Sequence, residues 1–222
     1  MSAGDELAYR PIGQMPRQPS DARERIVLAA IELFAARGYH NTGIADILTE
    51  SGCSRGVLYY NFSCKKELGF AVIDEVLHLL AEQGAGRHLR TNDHPIDKLL
   101  KMVDDLPGLV RLQSGEYLTP SLAARLGAVD AEFKERLSIG FRVLIDELEV
   151  ILQRGAAEGQ IADNVNPRVL AHAFVVMCEG ILFAALLEYQ EDVWANARRW
   201  LKEYLKSLRA QAGERTDRGR ST

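Results

Sequence analysis

Apolar positions recur at helical spacing through most of this chain, and no stretch shows the period-two alternation of a half-buried strand. Ile26, Ala30, Leu33 and Phe34 fall at i, i+4, i+7 and i+8 behind a start near Ser20 or Asp21, and Gly38 stands where such a helix ends. Ile44, Ile47 and Leu48 make a shorter stripe behind Thr42, which can cap, and Gly52 follows where a turn needs positive φ. Ser54 can then cap a helix through Arg55, Gly56, Val57, Leu58 and Tyr59. A longer helix after Phe62, running to about Glu82, buries Leu68, Val72, Val76, Leu79 and Leu80. Two short helices joined by a tight turn inside such a set are helix-turn-helix punctuation.

The second part of the chain has a different rhythm. Residues 84–94, GAGRHLRTNDH, form a polar break and mark the domain boundary. Pro95 opens a helix with Ile96, Leu99, Leu100 and Val103 inward, and Pro107, Gly108, Gly115 and Pro120 make the next part irregular. Asp130 can cap a long helix whose stripe is Phe133, Leu137, Phe141, Leu144, Ile145, Leu148 and Leu152. Asn166 followed by Pro167 starts a helix that is apolar nearly all round, and a last helix from about Asp192 carries Trp194, Ala197, Leu201, Tyr204, Leu205 and Leu208. The expectation is an all-α chain of about nine helices, a three-helix DNA-reading domain followed by a larger helical domain. Its parts are a flexible lead-in at 1–19, the helix-turn-helix domain at 20–68 with a linking helix at 64–83, the larger domain at 84–210 and a polar tail at 211–222.

Composition narrows the function. The chain has 222 residues, is 47% hydrophobic and carries a net charge of -4, which opposes a general nucleic-acid coat but not a specific reader with a local basic face. Between Ser51 and Lys66 stand Arg55, Lys65 and Lys66 and no acidic residue. Cys53, Cys64 and Cys178 fit no disulfide framework or zinc spacing, so a reducing cytoplasm is expected, with no metal and no cofactor. The start reads as no signal peptide, and the seven-residue apolar run Ile181 to Leu187 is far short of a membrane span.

Residues 23–72, RERIVLAAIELFAARGYHNTGIADILTESGCSRGVLYYNFSCKKELGFAV, resemble the DNA-binding domain of the TetR family of bacterial transcriptional regulators. Leu33-Phe34, Gly38-Tyr39, Thr42, Asp46-Ile47, Gly52, Ser54, Gly56, Leu58-Tyr59, Phe62, Lys65 and Glu67-Leu68 carry the resemblance, while beyond them only helix order agrees. The chain departs from the pattern at Leu48, at Cys53 and at Cys64, which stands where Ser or Asn would cap the fourth helix. A Gly-Cys pair found in the ligand domain of one branch of the family has its counterpart near Gly115 to Tyr117, where no cysteine stands.

The start of the second motif helix suits a major groove, where side chains near a helix start reach base edges. Arg55 is a candidate for a bidentate guanine contact or a phosphate contact, Gly56 permits close approach, and Val57 can meet a thymine methyl. The helix start that Ser54 caps can face a phosphate, Tyr59 and Tyr60 offer hydroxyls to phosphates, and the resemblance implies that Thr42 and Lys65 bracket the groove. Leu58 and Phe62 are expected in the core. A palindromic operator needs two such modules, so a homodimer is expected, and the resemblance places its four-helix interface at Gly180, Ala184, Leu187, Leu201 and Leu205. The remaining helices would enclose a pocket for a small-molecule inducer, with Met102, Tyr117, Phe141, His172, Phe174, Met177 and Glu179 as candidate lining residues, each of which also reads as plain core.

Three rival functions have weaker support. Glu75-Val76-Leu77-His78 has the Glu-x-x-His spacing of a di-iron bundle, but the required second copy is absent. No nucleophile turn holds a serine, so nothing points to an enzyme. A redox or electrophile sensor working through Cys64 or Cys53 keeps the fold and changes the input, because a helix start beside Lys65 and Lys66 favours a thiolate.

Overall fold

The computed structural model describes residues 22–83, 85–106, 126, 128–186 and 191–210. The expected lead-in and tail, the irregular stretch from Pro107 to Pro120, Tyr117 and Leu187 lie outside these residues. The described helices are α1 (Ala22–Arg37), α2 (Ile44–Ser51), α3 (Arg55–Asn61), α4 (Lys65–Gln83), α5 (Ala85–Leu89), α6 (Pro95–Asp105), α7 (Ala131–Ala157), α8 (Pro167–Leu186) and α9 (Glu191–Ser207). Among the described residues there is no strand beyond an isolated bridge between Ile161 and Arg209. The chain is all-α, as the spacing of its apolar residues requires.

Two compact units emerge, and neither is a continuous segment: Met1–Gly86 with Asp105–Arg142, and Arg87–Asp104 with Val143–Thr222. The polar stretch 84–94, expected as a plain break, contains the short helix α5. A five-residue helix is shorter than the span over which apolar periodicity can register.

In the first unit, α1 buries Ile26, Ala30, Ile31, Leu33 and Phe34 against Ile47, Leu58, Phe62, Leu68, Val72 and Val76. Gly38 closes α1 at φ 83°, and Gly52 ends α2 in the left-handed region at φ 64°. The residue capping α2 is Gly43, and Asp46 Oδ2 accepts its N–H at 2.7 Å. Thr42 therefore does not cap, contrary to expectation. Ser54 does cap α3, accepting from the Val57 amide at 3.4 Å.

The same core contains Leu126, Phe133 and Leu137, residues far along the chain. Asp130 caps α7 by accepting from the Glu132 amide at 2.8 Å, and the first turns of α7 then lie against α4. The Phe133 ring packs edge-on against Phe70 and Tyr39, with centroids 5.1 and 5.3 Å away, and it sits over Gly69, where an added Cβ would come within 2.5 Å of it. Lys66 spans Asp130 and Glu132 at 2.9 and 2.8 Å, and Arg136 grips Asp74 through two nitrogens.

In the second unit, Leu99, Met102, Leu148, Leu152, Leu170, Phe174, Leu201 and Leu205 are buried. Asn166 Oδ1 accepts from the Val169 amide at 3.1 Å, the cap that its position before Pro167 suggests. Lys98 is only 7% exposed, with its ammonium on the Leu89 carbonyl at 3.0 Å, and burial lowers its pKa. Arg209 pairs with Asp97, while Ala162 and Leu208, and Ala210 and Gln160, share backbone hydrogen bonds. Helix α8 is long and apolar enough by composition to cross a membrane, yet it packs along α9 with Phe174, Ile181 and Leu182 buried.

Candidate nucleic-acid interface

The site begins with what holds α3 still. Leu58 is fully buried and Phe62 nearly so, which fixes the helix on α1 and α4 by its inner side. The 3.6-residue period then turns Arg55, Gly56, Tyr59 and Tyr60 outward. Tyr60 is 90% exposed, Tyr59 46%, and the Arg55 guanidinium lies 5.8 Å from the Tyr59 ring centroid. A basic group stacked on an aromatic face beside a free hydroxyl matches the chemistry of a phosphate or a guanine edge. Ser54 is exposed at the helix start, and Val57 is half-buried.

The expected flanks come out differently. Thr42 is fully buried, its hydroxyl shared between the carbonyls of Gly38 at 2.9 Å and Leu33 at 3.2 Å. Its side chain cannot belong to the exposed face, because the hydroxyl satisfies the carbonyls at the end of α1. Lys65 is half-buried, its ammonium donating to the Tyr39 carbonyl at 2.5 Å and lying 4.3 Å from the Tyr39 ring centroid. Desolvation lowers its pKa, with Asp46 acting the other way. Lys66, the third basic residue of the motif, is tied to Asp130 and Glu132, which hold its pKa well above the ordinary lysine range.

Tyr39 is the residue that sequence reasoning missed. Its ring packs tilted against Phe34 at 5.1 Å and edge-on against Phe133 at 5.3 Å, and it presents its carbonyl to Lys65. It thereby ties the end of α1, the turn into α2, the start of α4 and the start of α7 into one knot. Burial raises its phenol pKa, with a further contribution from Cys64. The Gly38-Tyr39 pair was visible as a motif, but its partner Phe133 is remote in sequence.

Glu67 braces the turn that leads into the fourth helix, and Cys64 itself caps it. Glu67 reaches back to accept from both the amide and the hydroxyl of Ser63 at 2.7 Å, and those bonds lower its pKa. Cys64 is exposed, and the Glu67 amide donates to its sulfur, which lowers the thiol pKa. The helix start does this rather than the neighbouring lysines. Cys53 is half-buried, with Arg25 Nη2 3.5 Å from its sulfur.

The expected pocket and interface residues are scattered. Met102 and Phe174 are buried, Met177 and Glu179 half-buried, and Phe141 falls in the first unit and is half-buried. His172 is exposed, with Nδ1 2.8 Å from the Arg168 carbonyl. Glu179 has a pKa raised to about 7 by burial. Leu201 and Leu205 are interior at 1% and 0% exposure, so they cannot form an outer face; Val193, Trp200 and Tyr204 are the exposed large apolar residues of α9. Gly180 is exposed and Ala184 half-buried. No group of three or more metal-ligating side chains occurs among the described residues.

Residues 26–72 match the sequence profile described as "Bacterial regulatory proteins, tetR family". An HTH-type transcriptional regulator in the lacX 3′ region of Lactococcus lactis is 27% identical over 197 residues, covering 88% of this chain and 96% of that one. The HTH-type transcriptional activator FasR of Mycolicibacterium smegmatis is 33% identical over 120 residues, covering 50% of this chain and 54% of its own. A TetR transcriptional regulator from Chloroflexus aurantiacus has the same fold, with a TM-score of 0.75 at 24% identity, covering 86% of this chain and 97% of its own.

Proposed function

We propose, from the premise that the chain belongs to the TetR family of bacterial transcriptional regulators, that it is a cytoplasmic homodimeric repressor released from a palindromic operator by a small-molecule inducer. The observation that carries the reading is the outward face of α3, where Arg55, Tyr59 and Tyr60 stand exposed on a helix capped by Ser54 and anchored by Leu58 and Phe62. One such helix reads one half-site. Two copies whose recognition helices stand about 34 to 36 Å apart read successive major grooves of a palindrome. An inducer acts by binding better to a conformation in which that spacing is lost, and its differential affinity limits the shift.

The test is selection of bound sequences from a random duplex pool, followed by a reporter carrying the selected site. An inverted repeat is expected, with reporter output falling when the protein is supplied and recovering with inducer. Selection of no sequence would overturn the reading; rising output would make the protein an activator, as FasR is named.

A second reading keeps DNA binding and replaces the inducer with oxidation. Exposed Cys64, with its lowered thiol pKa, favours it, and loss of peroxide sensitivity in Cys64→Ser would support it.

A further inference from the structure

Helix α8 leaves one face uncovered. Val169, Val176 and Phe183 are 64%, 69% and 51% exposed and fall seven residues apart, so they form a single stripe along the helix. Exposed Gly180 lies in that stripe, and an added Cβ there would meet nothing within 4 Å. Such a glycine leaves a hollow for a side chain from an opposing helix. On α9, which packs along α8, Val193, Trp200 and Tyr204 are exposed too, with the Trp200 and Tyr204 rings stacked at 5.4 Å. A stripe of large apolar side chains along one helix is more than scattered exposed residues leave, and it calls for a covering partner.

Two ionisable groups say which partner. His172 and Glu179 border the stripe on the same side, seven residues or roughly two turns apart, about 10 Å along the axis. His172 Nδ1 is held by the Arg168 carbonyl, which leaves Nε2 as the nitrogen free to bond outward. Glu179 is half-buried beside the stripe, with no hydrogen bond among the described residues. A potential cation and an anion so placed are self-complementary under a two-fold axis: an antiparallel copy crossing near Val176 brings each beside its opposite.

We propose that a second copy of this chain covers the α8 stripe in antiparallel register, with His172 of each protomer paired to the partner's Glu179, so that each pair holds one proton and assembly weakens as pH rises. The inference rests on the homodimer reading and adds to it the register and a proton linkage. The direction follows from Glu179, whose carboxyl is already pushed up to about 7 by burial in the single chain. Burial drives that shift, and among the described residues its ionisable neighbour is Cys178 on the same helix. Above pH 7 the separate chain holds a carboxylate, and forming each pair takes up a proton.

The experiment is the dimer dissociation constant of the full chain from pH 6 to 8.5, measured by sedimentation of dye-labelled protein and by the concentration dependence of the urea unfolding midpoint. Above pH 7 the constant is expected to rise about tenfold per pH unit for each proton taken up, and so up to about a hundredfold per unit for two symmetric pairs. Glu179→Gln, which offers the imidazole an amide N–H without a titrating proton, should dimerise with this slope removed. A flat wild-type profile, or a Glu179→Gln profile as steep as the wild type, overturns the pairing while leaving the dimer intact. A chain that stays monomeric at every pH overturns the homodimer reading itself.

Discussion

Thr42 shows how much a single hydroxyl can decide. Its position ahead of α2 and its place in the family pattern both suggest a capping or DNA-facing role, but the hydroxyl points back to the end of α1, onto the carbonyls of Gly38 and Leu33. Thr42→Val keeps the shape and removes the donor, so it should destabilise the protein by about 1–2 kcal/mol, with Thr42→Ser close to wild type. Urea unfolding of the two variants checks this, and equal loss in both would mean that the methyl group matters instead. Ser54, Asp130 and Asn166 were legible as caps because each stands directly before its helix and bonds within three residues. Thr42 was not, because its partners lie four and nine residues back, a contact made only once α1 and α2 have turned against each other.

At the scale of helices, identical residues have opposite duties. Gly69 on α4 lies beneath the buried Phe133 ring, so Gly69→Ala overpacks the core and should cost about 1–3 kcal/mol. Gly180 on α8 faces open space, so Gly180→Ala should strengthen the isolated helix by up to about 1 kcal/mol while filling the hollow on the stripe and weakening self-association. Thermal unfolding and sedimentation of both variants separate the two effects; a Gly180→Ala protein that dimerises as well as wild type would remove the close approach. The sequence does not distinguish these glycines, since each sits within an apolar helix. It did reveal the helices themselves, whose stripes run long enough to register. What escaped was partnership: Leu201 and Leu205 read as an outward face but turn inward, and Trp200 and Tyr204 stand outside. Period alone gives the angle between faces, not which face meets the core.

Across the whole molecule, charge has to be counted after pairing. Arg55 is exposed on α3, whereas Lys66 is neutralised by Asp130 and Glu132. Arg55→Ala should therefore weaken operator binding and flatten its dependence on salt, and Lys66→Ala should leave that slope unchanged although both remove one positive charge. Operator titrations over a range of potassium chloride measure both. The DNA-reading half itself looked self-contained in sequence, with its motifs ending before residue 73 and a polar stretch following at 84–94. Packing places Phe133 and Leu137 in its core all the same. Anyone wishing to rewire this regulator by exchanging its second half would find the obvious seam misplaced. A graft joined at 84–94 discards the ring that rests on Tyr39 and Gly69, whereas a workable hybrid has to carry the stretch from Leu126 to Arg142 along with the helices it completes.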